Sequence, residues 1–295
     1  MKSLKKIFIN IMAITMLLIA TFSFSACAKE EIITLQVKIG AYDTSASAMF
    51  TEDLTLTIDL YRHLAPKTVD KIVEYVKDTD GNYYNNAIFY TEDNGKTISV
   101  GDLKLIENEI IQTIKPEIYG EFKTNGTIGS NLKNIKGAVG LLRSTFESDS
   151  SLASSSDARD SGRATWYIPT ESISSYDGFT CIFGKIDFSN EDNTTAFEAI
   201  DAILGDSSYY ENHVIYYTGE YDENDTEGNH GLEFHIVAKT VWNEGFDISK
   251  NQFNGQDVFE AEGQQLKSYN YRTVRLPRVT DLGQSYAQIK SITII

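Results

Sequence analysis

The sequence predicts a mainly β domain, and three observations carry that reading. Apolar and polar residues alternate through Leu54-Thr55-Leu56-Thr57-Ile58-Asp59-Leu60, the pattern of a strand buried on one face. The chain holds 17 Tyr and 15 Phe but only 4 Pro, and aromatic side chains suit the pleated, half-buried surface of a sheet. Residues 214–217 and 232–237 read as two more strands around a polar stretch, which predicts a long β-hairpin. With 295 residues and 41% apolar content, there is material for one large domain or two small ones.

The elements follow in chain order. Lys2, Lys5 and Lys6 precede an apolar run over residues 7–24, the layout of a secretory leader, and the run is too short for a spanning helix. Ser25-Ala26-Cys27 ends it, and small residues before a cysteine there resemble a bacterial lipobox. The expected division is therefore a lipoprotein signal peptide at 1–26, a tether at 27–31 and one domain at 32–295. Cys27 would be lipidated, and the protein would sit outside the cytoplasm, lipid-anchored to the bacterial cell membrane. The plainer alternative is an ordinary secretion signal.

Residues 32–39 read as a first strand and 54–60 as a second. Pro66 suits the first turn of a helix, where its missing N–H has no partner to lose. Val69, Ile72, Val73 and Val76 give that helix one apolar face. Asp78-Thr79-Asp80-Gly81-Asn82 is a turn cluster. Residues 144–161 are rich in Ser and Asp and read as a surface loop. Residues 245–285 look irregular, with a strand at 273–276.

Charge and cysteine usage exclude several classes. Lys and Arg number 26 against 42 Asp and Glu, for a net charge of −16. Removing the leader with its three lysines leaves 23 basic residues and a charge of −19. Such a surface repels nucleic acid and anionic head groups. Cys27 and Cys181 are the two cysteines. After cleavage and lipidation, Cys181 has no intrachain partner, and its apolar setting predicts a buried, inert thiol. No Gly-rich phosphate loop or Ser-His-Asp order stands out, and His213, His230 and His235 lack the spacing of a helical zinc site. No cofactor is expected. Glu223, Asp225, Glu227 and Gly228 partly fit a calcium loop, but the twelfth position is Phe234 rather than an acid. A solvated turn is the simpler account of them.

Several short words in order resemble the cyclophilin-type peptidyl-prolyl isomerases. They begin with Ala65-Pro66-Lys67-Thr68-Val69 after a strand. Phe89-Tyr90-Thr91 and Ser99-Val100-Gly101-Asp102 stand for the family's Phe-His-Arg and Gln-Gly-Gly-Asp, with the same gap. Lys136-Gly137-Ala138-Val139-Gly140-Leu141-Leu142-Arg143 and Ala164-Thr165-Trp166-Tyr167-Ile168 follow. Tyr176-Asp177-Gly178-Phe179-Thr180-Cys181-Ile182-Phe183-Gly184 is the next match, and residues 194–203 resemble the second capping helix. Residues 288–295 resemble the closing strand. The resemblance implies a closed eight-stranded antiparallel barrel with two capping helices. A long insertion, about 205–285, would precede the last strand.

What it implies for function is a peptidyl-prolyl cis-trans isomerase or folding factor acting on proline-containing or extended segments of exported proteins. The implied groove residues are Thr91, Ser99, Thr165, Tyr167 and Thr180. Thr91 takes the arginine position, Ser99 and Thr165 the two glutamine positions, and Thr180 the histidine position; Ser175 falls where many members have tryptophan. The family arginine donates to the prolyl nitrogen when amide resonance is broken, an interaction strongest in the transition state. Threonine carries no such charge, so weak activity is expected. Arg159 or Arg163 could supply a guanidinium from a neighbouring loop. Two alternatives stay open: a non-catalytic peptide-binding scaffold on the same fold, and a cation- or solute-binding lipoprotein using the acidic hairpin.

The leader generates a first prediction. Cys27→Ser should release the protein from the membrane fraction, measured by fractionation and immunoblot. A variant that stays membrane-bound and uncleaved would overturn the lipidation.

Overall fold

The computed structural model describes residues 32–43, 52–78, 82–92, 95–107, 109–127, 132–143, 160–207, 210–222, 224, 231–259, 271–278 and 285–295. The leader, Cys27, the tether, Arg159 and the tip residues Glu223, Asp225, Glu227, Gly228 and His230 lie outside them. No helix among the described residues is long and apolar enough to cross a membrane.

The chain opens with strands β1 (Ile32–Asp43) and β2 (Glu52–Tyr61) and helix α1 (Pro66–Val76). The strands β3 (Tyr90–Glu92), β4 (Thr97–Val100), β5 (Leu103–Ile106) and β6 (Glu109–Gln112) follow. Next are β7 (Ala138–Leu141), β8 (Trp166–Pro169), β9 (Ile182–Ile186) and helix α2 (Glu191–Gly205). The segment read as an insertion holds β10 (Tyr210–Thr218), β11 (Glu233–Ala238), α3 (Lys239–Gly245), β12 (Phe246–Asp247), β13 (Gln252–Phe253), β14 (Gln256–Asp257) and β15 (Arg272–Pro277). Last comes β16 (Ser285–Ile294).

The alternation read at 54–60 is realised in the antiparallel β1–β2 ladder. Leu35 lies opposite Ile58, Val37 opposite Leu56 and Ile39 opposite Leu54, and all six side chains are in the main core. Helix α1 starts at Pro66 as expected and buries Val69, Ile72 and Val76. Its N-cap, Ala65, offers no side-chain acceptor. Glu121, far along the chain, accepts instead from the backbone N–H groups of Lys67 and Thr68, at 3.1 and 2.8 Å. A carboxylate there meets both the orphan donors and the positive end of the helix. Helix α2 is capped by Asn190, which accepts from the Asp192 N–H. Asn193 of α2 then accepts from the Thr57 N–H at 2.7 Å, tying the helix to β2.

The ladders differ from the expected ring of eight. The main sheet runs β11-β10-β15-β3-β4-β8-β7-β9-β2-β1-β16, eleven strands in one succession. The fold is mainly β as read, but β15, β10 and β11 extend the sheet from β3 rather than standing off as a separate hairpin. The physical reason is that β3 has a hydrogen-bonding edge, and the single pairing of Arg275 with Thr91 joins β15 to it. The β10–β11 hairpin is in the expected place, with Tyr217 opposite Phe234. At the other end of the succession, Asn86 N–H and Phe89 N–H donate to the carbonyls of Ile289 and Ala287, and Ile289 N–H donates to Ala87. Ile88 and Gln288 form an isolated antiparallel bridge there.

Residues 245–285, read as irregular, contain short structure. Trp242 of α3 stacks on Phe246 at 4.3 Å and on Phe253 at 5.1 Å. Together with Val214, Tyr216 and Val258 they form a satellite core. Two-residue strands are too short to show a period, which is why the sequence pattern missed them.

Cys181 is buried, 3.4 Å from the Thr68 hydroxyl. Burial pushes its thiol up to about 12, against the help of the Thr68 hydrogen bond. His213, on β10, is also buried, with Nδ1 3.1 Å from the Glu211 carbonyl. Burial lowers its pKa below the ordinary 6.5, against the pull of Glu211. The unfolded chain therefore takes up this proton before the folded one does. The contribution is neutral above about pH 6.5 and becomes a loss of stability as pH falls below it, by at most about 1.4 kcal/mol per pH unit. His213→Gln should flatten the acid limb of melting temperature against pH between 6.5 and 5. Parallel curves for both proteins would remove this account.

Candidate functional site

The five residues read as groove positions are all buried, and they divide between two faces. Ser99 pairs with Tyr167, and Tyr90 pairs with Ser99, so these three side chains share one face of the sheet. Thr91 pairs with Ile98, and Ile98 with Ile168. Both isoleucines lie in the main core, so Thr91 points away from Ser99 and Tyr167. The structure brings Tyr167 and Thr180 into contact, with Ser99 beside Tyr167, and leaves Thr91 on the other side.

Tyr167 is wholly inaccessible to solvent. Its ring lies flat against Gly140: a Cβ at that position would fall 2.5 Å from Cε1 and from Oη. The hydroxyl donates to Oδ1 of Asn134 and accepts from the Thr180 hydroxyl, whose Oγ1 is 2.9 Å away. Burial raises the phenol well above its ordinary pKa, partly offset by the Thr180 hydrogen bond. Ala138, Ile173, Tyr176 and Ile182 pack around the ring, with Leu132 and Leu142 against them. Asn134 was not visible in the sequence reading. It is 1% exposed and its side-chain amide also reaches Asp177 and Thr180. The aromatic residue that the resemblance places on a groove floor is here the centre of a small sealed core.

Thr165 lies beside the turn at Gly101. Gly101 has φ of +142°, and a Cβ there would sit 2.8 Å from the Thr165 Cα and 2.9 Å from the Ala164 carbonyl oxygen. Only glycine fits both the dihedral and the close approach. Ser99 Oγ is buried with no hydrogen-bond partner among the described residues.

Arg163 is engaged elsewhere. Arg163 makes an ion pair with Glu117 at 3.4 Å. Arg159 lies outside the described residues. A guanidinium reaches Tyr90 from β15: Arg272 sits 5.9 Å from the Tyr90 ring centroid. It donates to Glu92 at 2.6 Å and to Asp102 at 2.8 Å. Asp102 also accepts from Tyr90 Oη at 2.8 Å and from Gln112 at 3.3 Å. Alternation in Arg272-Thr273-Val274-Arg275-Leu276 was the signal that could have placed Arg272 and Arg275 on opposite faces. Among the described residues there is no cluster of three or more metal-ligating side chains.

The contact between Gly140 and Tyr167 gives a direct test. Gly140→Ala should push the ring out of its seat and lower stability by about 1–3 kcal/mol. Denaturant melts would read the loss, and an unchanged midpoint would mean that the ring is not held as described.

Comparison with known proteins adds what geometry alone does not. No curated protein matches the chain. Among solved structures, one similar structure is a cyclophilin type peptidyl-prolyl cis-trans isomerase of Cryptosporidium parvum, 13% identical, covering 70% of this chain and 98% of that one, with a TM-score of 0.38. A second structure of that protein, in the presence of the dipeptide Ala-Pro, is 14% identical over the same shares, with a TM-score of 0.35. The family model for the cyclophilin type peptidyl-prolyl cis-trans isomerase/CLD matches residues 48–220, more than half of the sequence, and so the chain belongs to that family.

Proposed function

We propose that this cyclophilin-type domain binds extended or proline-containing segments of exported proteins and isomerises them slowly. The observation that carries the slowness is the sealed Tyr167. It is fully buried, its hydroxyl is occupied by Asn134 and Thr180, and Thr91 faces away from it. Rotation about the prolyl amide faces a barrier of about 18–20 kcal/mol. A guanidinium hydrogen bond formed only as resonance breaks contributes roughly 1.5–3 kcal/mol. Its loss corresponds to one to two decades in rate. Ser99, Thr165, Tyr167 and Thr180 are the proposed frame of the substrate site, and Thr91, on the other face of the sheet, stands apart from them.

The wider reading belongs with this one. Residues 1–26 act as the leader, Cys27 carries the lipid, 27–31 form the tether, and the 32–295 domain works outside the cytoplasm with its insertion at about 205–285. The hydrogen bonds between 86–89 and 287–289 support a ring of eight strands, β16-β1-β2-β9-β7-β8-β4-β3, with the insertion's strands attached outside it. The closed aromatic face also favours a second reading, a peptide-binding scaffold with no turnover.

Turnover on a proline tetrapeptide separates them. The proposal expects a rate at least about ten-fold below that of a cyclophilin with its arginine in place. Thr91→Arg should leave the rate within a factor of three, because position 91 faces α2. Turnover equal to a full cyclophilin would overturn the slow-isomerase reading, and no turnover with retained peptide binding would select the scaffold.

A further inference from the structure

Thr91 opens onto a different space. A cavity of about 800 Å³ lies between the C-terminal end of α2 and the β3–β15–β10 part of the sheet, with Thr91, Asp201, Asn212, Lys239, Thr273 and Arg275 in its wall. Ligand sites commonly measure 300–1,000 Å³. This one exists because the insertion is there: β15 and β10 supply the sheet wall, and α3 supplies Lys239.

The wall is rich in donors. Arg275 lies directly opposite Thr91 on one side and Asn212 on the other, so all three side chains share a face. Thr273 is two residues from Arg275 on the same strand, about 7 Å away on that face. Lys239 Nζ donates to Thr273 Oγ1 at 3.3 Å. Arg275 Nε donates to the Leu204 carbonyl at 2.8 Å, and Nη2 to the Gly205 carbonyl at 3.4 Å. These bonds to the end of α2 fix where the guanidinium stands.

The two cations are held by neutral groups, a helix end and a hydroxyl, and, among the described residues, by no carboxylate. Neither Lys239 nor Arg275 has a carboxylate within ion-pair distance among the described residues, in a chain of net charge −16. Arg272, three residues earlier on the opposite face of β15, is matched by two carboxylates. Of the cavity's own acids, Glu92 is held by Arg272, and Asp201 stands on the helix wall.

We infer that this cavity binds a short peptide segment carrying a carboxylate, which is received by Lys239 and Arg275 while Asn212 and Thr273 meet the segment's backbone. The peptide class rests on the function proposed above; the charge selectivity rests on the cavity alone. An aspartate or glutamate side chain and a free C-terminus share this chemistry. Asp201, on the far wall, disfavours a second acid on that side.

The test uses the full chain and three fluorescent hexapeptides. The first is acetylated and amidated Ala-Ala-Glu-Pro-Ala-Ala, the second has Gln for Glu, and the third is the Gln peptide with a free C-terminal carboxylate. The unmodified protein should bind the Glu peptide about ten-fold more tightly than the amidated Gln peptide, the value of one charge-assisted contact. Lys239→Ala should remove most of that difference with the melting temperature unchanged. Thr91→Phe, which fills the cavity from the barrel side, should weaken the Glu peptide as well. Tight binding of the free-carboxylate Gln peptide, lost in Lys239→Ala, would support the site with the C-terminus as the ligand. Equal affinity for Glu and amidated Gln peptides, or a preference that survives Lys239→Ala, would overturn the inference. The proposed isomerase function fails on different results, since tetrapeptide turnover is read separately. Carboxylate-selective binding without turnover would leave the cavity standing and remove the enzyme.

Discussion

The guanidinium of Arg272 lies between Glu92 and Asp102, and the placement of β15 and β10 against β3 depends on it. Taking these charges out of water is costly, and their attraction repays that cost only with good geometry and further hydrogen bonds. Both are present. Tyr90 and Gln112 satisfy Asp102, and Tyr217 of β10 donates to Gln112 at 3.1 Å. The network thus joins β3, the turn after β4, β6, β10 and β15. Around it lies a second core of Ile88, Tyr90, Leu103, Ile215, Tyr217, Val274 and Leu276. Apolar burial supplies the attraction between β3 and the β10–β15 pair, and the charged network fixes their register by giving each carboxylate its donor.

That arrangement covers the outer face of β3. Tyr90 is fully buried there, packed with Ile215, Tyr217, Val274 and Leu276 of β10 and β15. The same covering creates the cavity on the other face of β3. Strands β10 and β15 therefore close off one side of β3 and wall a cavity on the other.

Much of the frame was legible in the sequence because strand alternation and helix period are local signals. The strand at 54–60, the helix at Pro66, the hairpin strands at 214–217 and 232–237 and the strand at 273–276 all appear where read. What was not legible depended on register. The matched gap between Thr91 and Ser99 put both at one groove, yet the cross-strand partner of Ser99 is Tyr90. A shift of one residue in pairing changes the face of every side chain, and residue spacing within a sequence does not contain that information. Asn134 was missed for a related reason: nothing local marks an asparagine whose partners, Tyr167, Thr180 and Asp177, lie 33 to 46 residues away. Glu121, which serves a helix 53 residues earlier, is of the same kind.

Cys181 has a use that its inertness makes possible. It is one of only two cysteines in the sequence, and the other stands at the proposed lipid junction. In the folded domain its sulfur faces Thr68 at the start of α1, out of reach of solvent and protonated at any physiological pH. An alkylating reagent needs both access and thiolate, so it reacts only when the α1–β9 region opens. The rate of labelling is then a clock for that opening, built into the native sequence. It would read the local stability of the sheet under α1 without any engineered probe.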